Sequence, residues 1–403
     1  MSVEAARARI LAEIKPVHGT ERLALRAALG RVLAQDVSSP IDVPAHTNSA
    51  VDGYALAGSE LPADGVKEFR IIGTAWAGRP FKGSIGPGEC ARIMTGAPMP
   101  SGTDIAVMQE HVQLRGDIVE IGGGKSTKGN VRQAGEDLTK GQVALHAGKR
   151  LLPAELGLLA SLGFPEVSVF RKLRVAFFST GDELRPVGEP LCEGEIYDSN
   201  RYTLFGMLTR LGVEILDMGV IRDDREAVRK AFANAATNAD AVITTGGVSV
   251  GEADYVKETL DALGQVSFWQ IAMRPGRPLA FGHLGDASFF GLPGNPVAVM
   301  VTFIQFVQPA LQYMMGESAS PAPLTYRAQS ASRFKSRPGR TEFLRAIVER
   351  APDGELVVRS TGNQGSGILS SMSRANCFVV LPPESTGAEP GDIVEVQPFY
   401  GII

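Results

Sequence analysis

The feature that most constrains this sequence is the regular alternation of apolar, strand-like runs and amphipathic segments between residues 172 and 316. Runs rich in β-branched and aromatic residues are followed by segments whose apolar residues have helical spacing. This alternation is typical of a mostly parallel sheet with helices on both faces. In chain order the segments are LRVAFFS and RYTLFGMLTRLG, VEILDMG and DREAVRKAFANAA, AVITT and DYVKETLDAL, then VSFWQIA, PLAFG, ASFFGL and a long helix from Asn295. We therefore predict an α/β domain at residues 172–318.

The sections outside this domain differ in composition and pattern, and they predict three further domains. The N-terminal sequence MSVEAARARILAEIKP predicts an amphipathic helix, and Ala27–Leu33 predicts a shorter one. Residues 48–141 contain short β runs among glycines and prolines, which is typical of a small β domain. A further helix is predicted at LLPAELGLLASLG, so the β domain is expected to be inserted into a discontinuous helical linking domain of residues 1–47 and 142–171. A C-terminal β domain is expected at residues 319–403.

Length and composition narrow the class of protein. A chain of 403 residues is long enough for several domains, and 44% hydrophobic with 21% charged residues is an ordinary globular composition. A net charge of −4 provides no basic field, so nucleic acid is not an expected partner. The three cysteines are too few and too widely spaced for a disulfide framework, and the N-terminus has no apolar signal core.

Glutamines and Pro309 interrupt the apolar run at 297–315, which favours a buried helix over a membrane span. A cytoplasmic location is expected.

Several strands of the α/β domain end in loops suited to binding an anion. In such sheets ligands bind beyond the carboxyl ends of the strands. The loops are STGDEL at 179–184, TTGGVSVGEAD at 244–254, MRPGRP at 273–278 and GLPGNP at 291–296. Glycines let backbone N–H groups approach an anion, and Arg274 and Arg277 add guanidinium groups. One such loop alone would be an ordinary tight turn, but several on one edge favour an anion site.

The glycine-rich loop also contains G-x-S-x-G at Gly247–Gly251, the pattern of a hydrolase nucleophile elbow. A hydrolase needs an acid and then a histidine after the serine, and only His283 follows, at an expected hairpin tip. We therefore interpret Ser249 as a ligand of an anion-binding loop. GGGKST at 122–127 is not a Walker loop, because Val119 stands where its first glycine is required.

Acidic residues near the same edge suit a hard cation such as Mg²⁺ bridging phosphate oxygens. They are Asp182, Glu183, Asp198, Asp223, Asp224 and Asp254. Asp223 and Asp224 are equally compatible with a helix N-cap and its neighbour, and Asp254 is also compatible with a cap.

A set of motifs carries a family resemblance. In order these are HTNSAVDGYAL, RIMTGAPMPSGTDIAVMQE, RQAGEDLTKG, STGDEL, YDSNRY, TTGGVSVGEADYVKE, MRPGRPLAFG, GLPGNPVAV, RPGRTEFLRA and GNQGSGILSSMSRANCFVVLP. Together they resemble the molybdopterin molybdotransferase family, which includes the E domain of gephyrin, over nearly the whole chain.

The resemblance implies an elongated homodimer of four-domain subunits whose α/β domain is similar to the molybdopterin adenylyltransferase fold. It implies a reaction in which adenylylated molybdopterin and molybdate yield molybdenum cofactor and AMP with the help of Mg²⁺. It also implies an active site between the α/β domain of one subunit and the inserted β domain of the other. Other proteins of molybdenum cofactor biosynthesis are further candidate partners.

Matching the motifs residue by residue gives the expected site. Catalytic roles are implied for Asp52, Thr95, Asp137, Asp254, Arg274 and Arg277, and metal binding for Asp223, Asp224 and Asp254. Substrate binding is implied for Thr180, Gly181, Asp182, Glu183, Asp198, Ser199, Asn200, Gly246, Gly247, Ser249, Gly251, Pro293, Gly294, Asn295, Arg345 and Ser371. Lysines are common in the MxPGxP loop of the family, whereas this chain has arginine at both places, which keeps the charge and changes the geometry.

Two alternatives to molybdotransferase activity remain. One is molybdopterin adenylyltransferase activity, although the adenylylating relative resembles the α/β section alone. The other is a scaffold that binds partners without catalysis, although scaffold forms carry a second catalytic domain and a long linker that this sequence lacks.

Overall fold

The computed structural model describes residues 1–123, 130–246, 255–318 and 323–399. The chain forms two compact units. The first contains residues 1–34, 148–152 and 167–403, and the second contains residues 35–147 and 153–166. Each unit is discontinuous in sequence. The four predicted domain boundaries stay predictions.

The centre of the first unit is a six-stranded sheet with the predicted α/β pattern. In sheet order its strands are Glu214–Ile221, Arg174–Thr180, Ala241–Thr245, Ala287–Leu292, Pro278–Leu284 and Gly264–Gln270. The first three pairings are parallel and the last two are antiparallel. The mostly parallel sheet is therefore confirmed, and His283 lies near the hairpin turn where it was expected.

Helices cover this sheet, and two of them begin at polar side-chain caps. They are Ser199–Leu211, Arg225–Asn238, Tyr255–Leu263 and a long helix from Pro296 to Met314 with a π-helical turn at Phe303–Val307. Side chains of Asp198 and Asp224 accept backbone N–H groups at the first turns of two helices, which satisfies donors that have no partner within the helix.

One helix in the described residues, Pro296–Met314, is long and apolar enough to cross a membrane. Of its most apolar window, 78% is buried inside the protein. Its burial matches the buried helix predicted from the sequence.

The N-terminal helix Val3–Glu13 packs against the α/β core through Val3, Ala6 and Ile10. The helix predicted at Ala27–Leu33 is wrong. A 3₁₀ turn at Leu25–Ala28 stands there, because Gly30 has a positive φ of 76° and the N–H of Leu33 donates to the Lys149 carbonyl instead of extending a helix.

The C-terminal part of the first unit is a β sheet, as predicted. In sheet order its strands are Met273–Arg274, Thr341–Arg350, Leu356–Ser360, Tyr326–Ser330, Ile393–Pro398 and Cys377–Leu381. A short pair, Phe334–Lys335 with Gly387–Ala388, and the helix Leu369–Arg374 complete it. Since Met273–Arg274 pairs with Thr341–Arg350, the arginine loop of the α/β domain becomes an edge of this second sheet.

The second unit is built around a six-stranded sheet. In order its strands are Ile105–Met108, Gly53–Leu56, Glu89–Ile93, Val66–Ala75, Ile118–Gly122 and Val112–Arg115. Two short pairs join Val37–Ser38 to Val143–Leu145 and Asn48–Ser49 to Val131–Arg132, and one helix spans Pro153–Ser161. The buried side chains include Phe69, Val119 and Cys90, and burial raises the pKa of the Cys90 thiol to about 12.

Candidate functional site

A cavity of about 590 Å³ opens at the carboxyl ends of the parallel strands in the first unit. It brings together many residues predicted from the sequence to bind substrate. Those residues are Thr180, Glu183, Asp198, Ser199, Asn200, Gly246, Gly294 and Asn295. Because three separate loops and a helix start converge there, the predicted ligand-binding edge of the sheet is a single concave site.

Backbone geometry at this cavity requires glycine at position 246. Gly246 has φ +85°, and a Cβ there would lie 2.6 Å from the carbonyl oxygen of Thr180. Both the left-handed conformation and the close approach exclude a larger side chain. The first glycine of the Gly-Gly pair therefore lets two strand ends meet.

Two acceptor atoms at the cavity have no hydrogen-bond partner among the described residues. Asp198 is buried and uses Oδ1 to accept the Arg201 N–H, while its Oδ2 accepts nothing. Asn200 donates from Nδ2 to the Gly294 carbonyl at 2.7 Å, while its Oδ1 is unpaired. Buried polar atoms normally have partners, so both oxygens suit a ligand donor or a cation.

The predicted metal-binding carboxylates have distinct surroundings. The backbone N–H of Asp223 donates to Asp182 Oδ1 at 3.2 Å, so these residues are neighbours, whereas Asp224 is a helix N-cap. Within the described part of the chain, no three His, Cys, Asp or Glu side chains form a metal cluster. A few hard oxygen donors still fit Mg²⁺, which binds proteins through one or two carboxylates together with substrate phosphates.

The loop at 273–278 holds two exposed arginines. Gly276 has φ +96°, and a Cβ there would lie 2.5 Å from Thr302 Oγ1, so this turn also needs glycine. Arg274 lies opposite Glu342 in the strand pairing, and its Nη1 is 3.7 Å from Glu342 Oε1. The Arg277 carbonyl accepts the Ile271 N–H at 2.8 Å, which closes the turn and leaves the guanidinium outside it.

Arg345 is completely buried in the same unit. Its Nε donates to Ser371 Oγ at 3.0 Å and its Nη2 donates to the Gly365 carbonyl at 3.0 Å. Its Nη1 has no partner among the described residues. Burial and, to a smaller extent, the positive charge of Arg274 together lower the pKa of Arg345 to about 10. A buried guanidinium with an unpaired donor and a second arginine nearby has the chemistry that suits an oxyanion.

Sequence reasoning missed Gln364, which lies in the loop at residues 362–369 and fixes Arg345. Gln364 accepts the Arg345 N–H through Oε1 at 2.8 Å and donates from Nε2 to the Arg345 carbonyl at 2.9 Å. Gly367 and Leu369 of this loop line the strand-end cavity, and the Ser366 carbonyl accepts the N–H of Val297 at the start of the long helix. The motif GNQGSG pointed to this segment, but its spacing gives no sign that Gln364 frames an arginine from another strand.

In the second unit, two of the predicted catalytic residues form a pair. Asp52 Oδ1 accepts the Thr95 N–H at 2.7 Å and the Thr95 hydroxyl at 2.8 Å. The backbone hydrogen bond, followed by the hydroxyl, lowers the pKa of Asp52 below its ordinary value. Asp137 is exposed on a turn of the same unit, where its N–H donates to the Val43 carbonyl at 3.0 Å. Asp52 is thus held ionised and exposed.

Four predicted site residues lie outside the described residues: Gly247, Ser249, Gly251 and Asp254. Their roles stay predictions. The remaining predicted residues of the STGDEL and GLPGNP loops, Gly181 and Pro293, adjoin Asp182 and Gly294 at the strand ends.

The fold and the strand-end cavity define a mostly parallel α/β ligand-binding domain within a larger protein. Residues 176–313 match the family model described as a probable molybdopterin binding domain. Residues 1–163 match the MoeA N-terminal region, domains I and II, and residues 327–399 match the MoeA C-terminal region, domain IV. The chain belongs to the MoeA family.

Comparisons over the full length agree. A Haemophilus influenzae protein named molybdopterin molybdenumtransferase is 42% identical over 100% of both chains. A Nostoc protein of the same name is 35% identical over 94% of this chain and 88% of its own. The crystal structure of the molybdopterin biosynthesis MoeA protein from Pyrococcus horikoshii OT3 superposes with a TM-score of 0.85 at 29% identity, covering 99% of each chain.

Proposed function

We propose that this protein is a molybdopterin molybdenumtransferase, which uses molybdate and adenylylated molybdopterin to form molybdenum cofactor with release of AMP. The observation that carries the proposal is Arg345: a fully buried guanidinium with an unpaired Nη1, placed by a loop that also borders the strand-end cavity. A tetrahedral dianion is the ligand that such a group suits.

Different groups of the described residues bind the two substrates. The strand-end cavity offers backbone groups around Gly246 and Gly294 and the acceptors of Asp198 and Asn200 to the adenylylated substrate. Arg345 and Arg274 hold molybdate and neutralise charge that builds up when the phosphoanhydride is cleaved. Positioning and charge neutralisation are sufficient for such a cleavage, so no side chain of the protein has to act as a nucleophile.

We further propose that Mg²⁺ is the cation that binds the substrate phosphates. Asp223 and Asp254 are the carboxylates proposed to hold it, with Asp182 beside Asp223. Asp224 was predicted for the same role, and its side chain caps the helix Arg225–Asn238. When bound, the ion supplies charge neutralisation at the phosphates.

We also propose a homodimer whose active site combines both subunits, in the cytoplasm. An apolar cavity of about 860 Å³ in the first unit supports self-association, since Tyr202 and Phe205 on the helix Ser199–Leu211 expose 54% and 49% of their surface beside it. Asp52, Thr95 and Asp137 of one subunit would then face Arg274, Arg277 and the metal-binding carboxylates of the other. Mixing Asp52→Asn chains with Arg345→Met chains should restore activity that neither homodimer has, because one site of each mixed dimer is intact. A monomer with full activity at nanomolar concentration would contradict the composite site.

The transferase is distinguished from an adenylyltransferase by its substrates. Pure protein given adenylylated molybdopterin should release AMP in proportion to added molybdate. The same protein given molybdopterin and ATP should form no adenylylated product. Adenylylation from ATP, with AMP release that does not respond to molybdate, would favour the adenylyltransferase, and neither activity would favour a scaffold.

A further inference from the structure

A second cavity, of about 1000 Å³, lies in the C-terminal part of the first unit. Arg274 forms part of its wall, so the cavity is adjacent to the oxyanion site proposed above. One loop borders both this cavity and the strand-end cavity, since Gly362 and Gln364 line the former and Gly367 lines the latter. A substrate with two different ends can therefore occupy two cavities on the same unit.

One carboxylate that lines this cavity is buried, and its Oε1 has an ion pair but, within the described ranges, no hydrogen bond. Glu342 is 1% exposed, and its Oε1 accepts no hydrogen bond from the described residues. Arg274 Nη1 forms an ion pair with this oxygen at 3.7 Å, which is beyond hydrogen-bond distance, and 56% of the Arg274 side chain is exposed. Ser336 Oγ lines the same cavity and also has no partner among these residues. Burial of unpaired polar atoms costs stability, which points to a ligand that supplies donors.

The walls and the rim specify the rest of the ligand. The lining is mostly polar, and Pro275, Phe334 and Leu344 are buried residues that add apolar side chains to it. Apolar side chains among polar groups suit a flat ring better than a small ammonium group. Lys335 and Arg337 lie at the rim, are exposed, and have no carboxylate partner in the described ranges. The cavity therefore suits a heteroaromatic ring with N–H donors on one edge and a negatively charged substituent.

We propose that this cavity binds the pterin ring of the molybdopterin substrate, with Glu342 accepting hydrogen bonds from the N3–H and 2-amino group of its aminopyrimidinone edge. The inference rests on the proposed function and extends it by assigning the ring and the phosphate end of the substrate to different cavities. It also places the ring in the cavity that Arg274 lines, where molybdate is expected. Glu342 is then a substrate-recognition residue. Lys335 lies where an anionic group attached directly to the ring would bind.

The test uses stable pterins and the intact protein. Binding of 6-methylpterin, pterin-6-carboxylate and 6-methyllumazine, which has an oxo group in place of the 2-amino group, is measured by fluorescence titration or calorimetry. We expect both pterins to bind at least about 10-fold more tightly than the lumazine, because a carbonyl oxygen repels Glu342. This comparison needs no substitution, so a folding defect cannot obscure it. Equal binding of pterin and lumazine, or no binding of any of them, would overturn the proposal.

Substitutions then test which residues bind the pterin ring and its anionic group. Glu342→Gln should weaken the binding of both pterins by about 10-fold or more. The melting temperature should stay the same or rise, since the substitution removes a buried charge whose ion pair with Arg274 is long and partly exposed. Lys335→Gln should weaken pterin-6-carboxylate alone. The control Glu349→Gln, an exposed residue of the same strand that pairs with Arg359, should change neither. Glu342→Gln with unchanged pterin affinity would contradict the assignment, as would a large fall in melting temperature with unchanged lumazine discrimination.

The proposed function is tested separately by AMP release. Glu342→Gln should raise the KM for adenylylated molybdopterin with little change in kcat, because the ring binds equally in ground and transition states. Molybdate-dependent AMP release together with equal binding of pterins and 6-methyllumazine would contradict only the assignment of the pterin cavity. Absence of AMP release from the wild-type protein would remove the proposed function.

Discussion

Replacing Arg345 with methionine should abolish molybdate binding and leave the protein folded. The folded-state pKa of Arg345 is lowered to about 10, so the folded protein binds this proton less tightly than the unfolded chain does. This cost is fully present below pH 10 and disappears as the pH rises from there toward the ordinary arginine pKa. Its size is roughly 3 kcal/mol at neutral pH.

The substitution also removes favourable contacts. The hydrogen bonds from Arg345 to Ser371 and to the Gly365 carbonyl contribute together about 3 kcal/mol, at about 1.5 kcal/mol for each bond from a charged donor. The two contributions nearly cancel. We therefore expect Arg345→Met to change the free energy of unfolding by less than about 2 kcal/mol.

Stabilisation by bound molybdate should distinguish the wild type from Arg345→Met. Molybdate at 100 times its Kd should raise the free energy of unfolding of the wild type by about 2.7 kcal/mol, and that gain should vanish in Arg345→Met. Urea unfolding with and without molybdate measures both quantities. Arg350→Met, on the same strand but exposed, is the control and should keep the full gain. The reasoning is refuted if Arg345→Met loses more than about 4 kcal/mol without ligand, or if it keeps the molybdate gain.

Three further predictions concern the cavity and the second unit. Gly246→Ala should lower the free energy of unfolding by at least about 2 kcal/mol in urea, because it combines a left-handed φ with a clash at the Thr180 carbonyl; an unchanged value would contradict the geometry. Asp198→Asn should keep the melting temperature, since asparagine caps helices as well as aspartate, but should weaken adenylylated-substrate binding by about 10-fold; unchanged binding would make Asp198 a cap only. Thr95→Val should raise the pKa of Asp52 toward the ordinary aspartate value in an NMR titration, with the lower pKa of the wild type partly retained through the backbone N–H; a pKa that does not move would show that the hydroxyl has no effect.

The α/β domain was predictable because its pattern is local and repeated. The inner strands of the parallel sheet are short, largely apolar runs. The helices that follow have apolar stripes, and two of them begin at the polar caps Asp198 and Asp224. The strand-end rule then placed Thr180, Asn200 and Gly294 at one cavity without knowledge of side-chain positions.

What escaped prediction depends on contacts between distant segments. The region Ala27–Leu33 has helical spacing, yet its backbone pairs with residues more than a hundred positions away. The sequence around Gln364 and Glu342 gives no indication of their contacts. Those contacts arise because the strand Thr341–Arg350 lies beside the arginine loop. Spacing along a chain gives periodicity and caps, whereas a buried charge between two sheets follows only from tertiary packing.

The measurement that tests the central claim most directly is the location of the oxyanion in crystals soaked with tungstate, a heavier tetrahedral dianion. An anomalous peak within hydrogen-bond distance of Arg345 Nη1, with Arg274 as a second contact, is the predicted result. A fully occupied peak elsewhere in the protein, with Arg345 Nη1 still unpaired, would contradict the account.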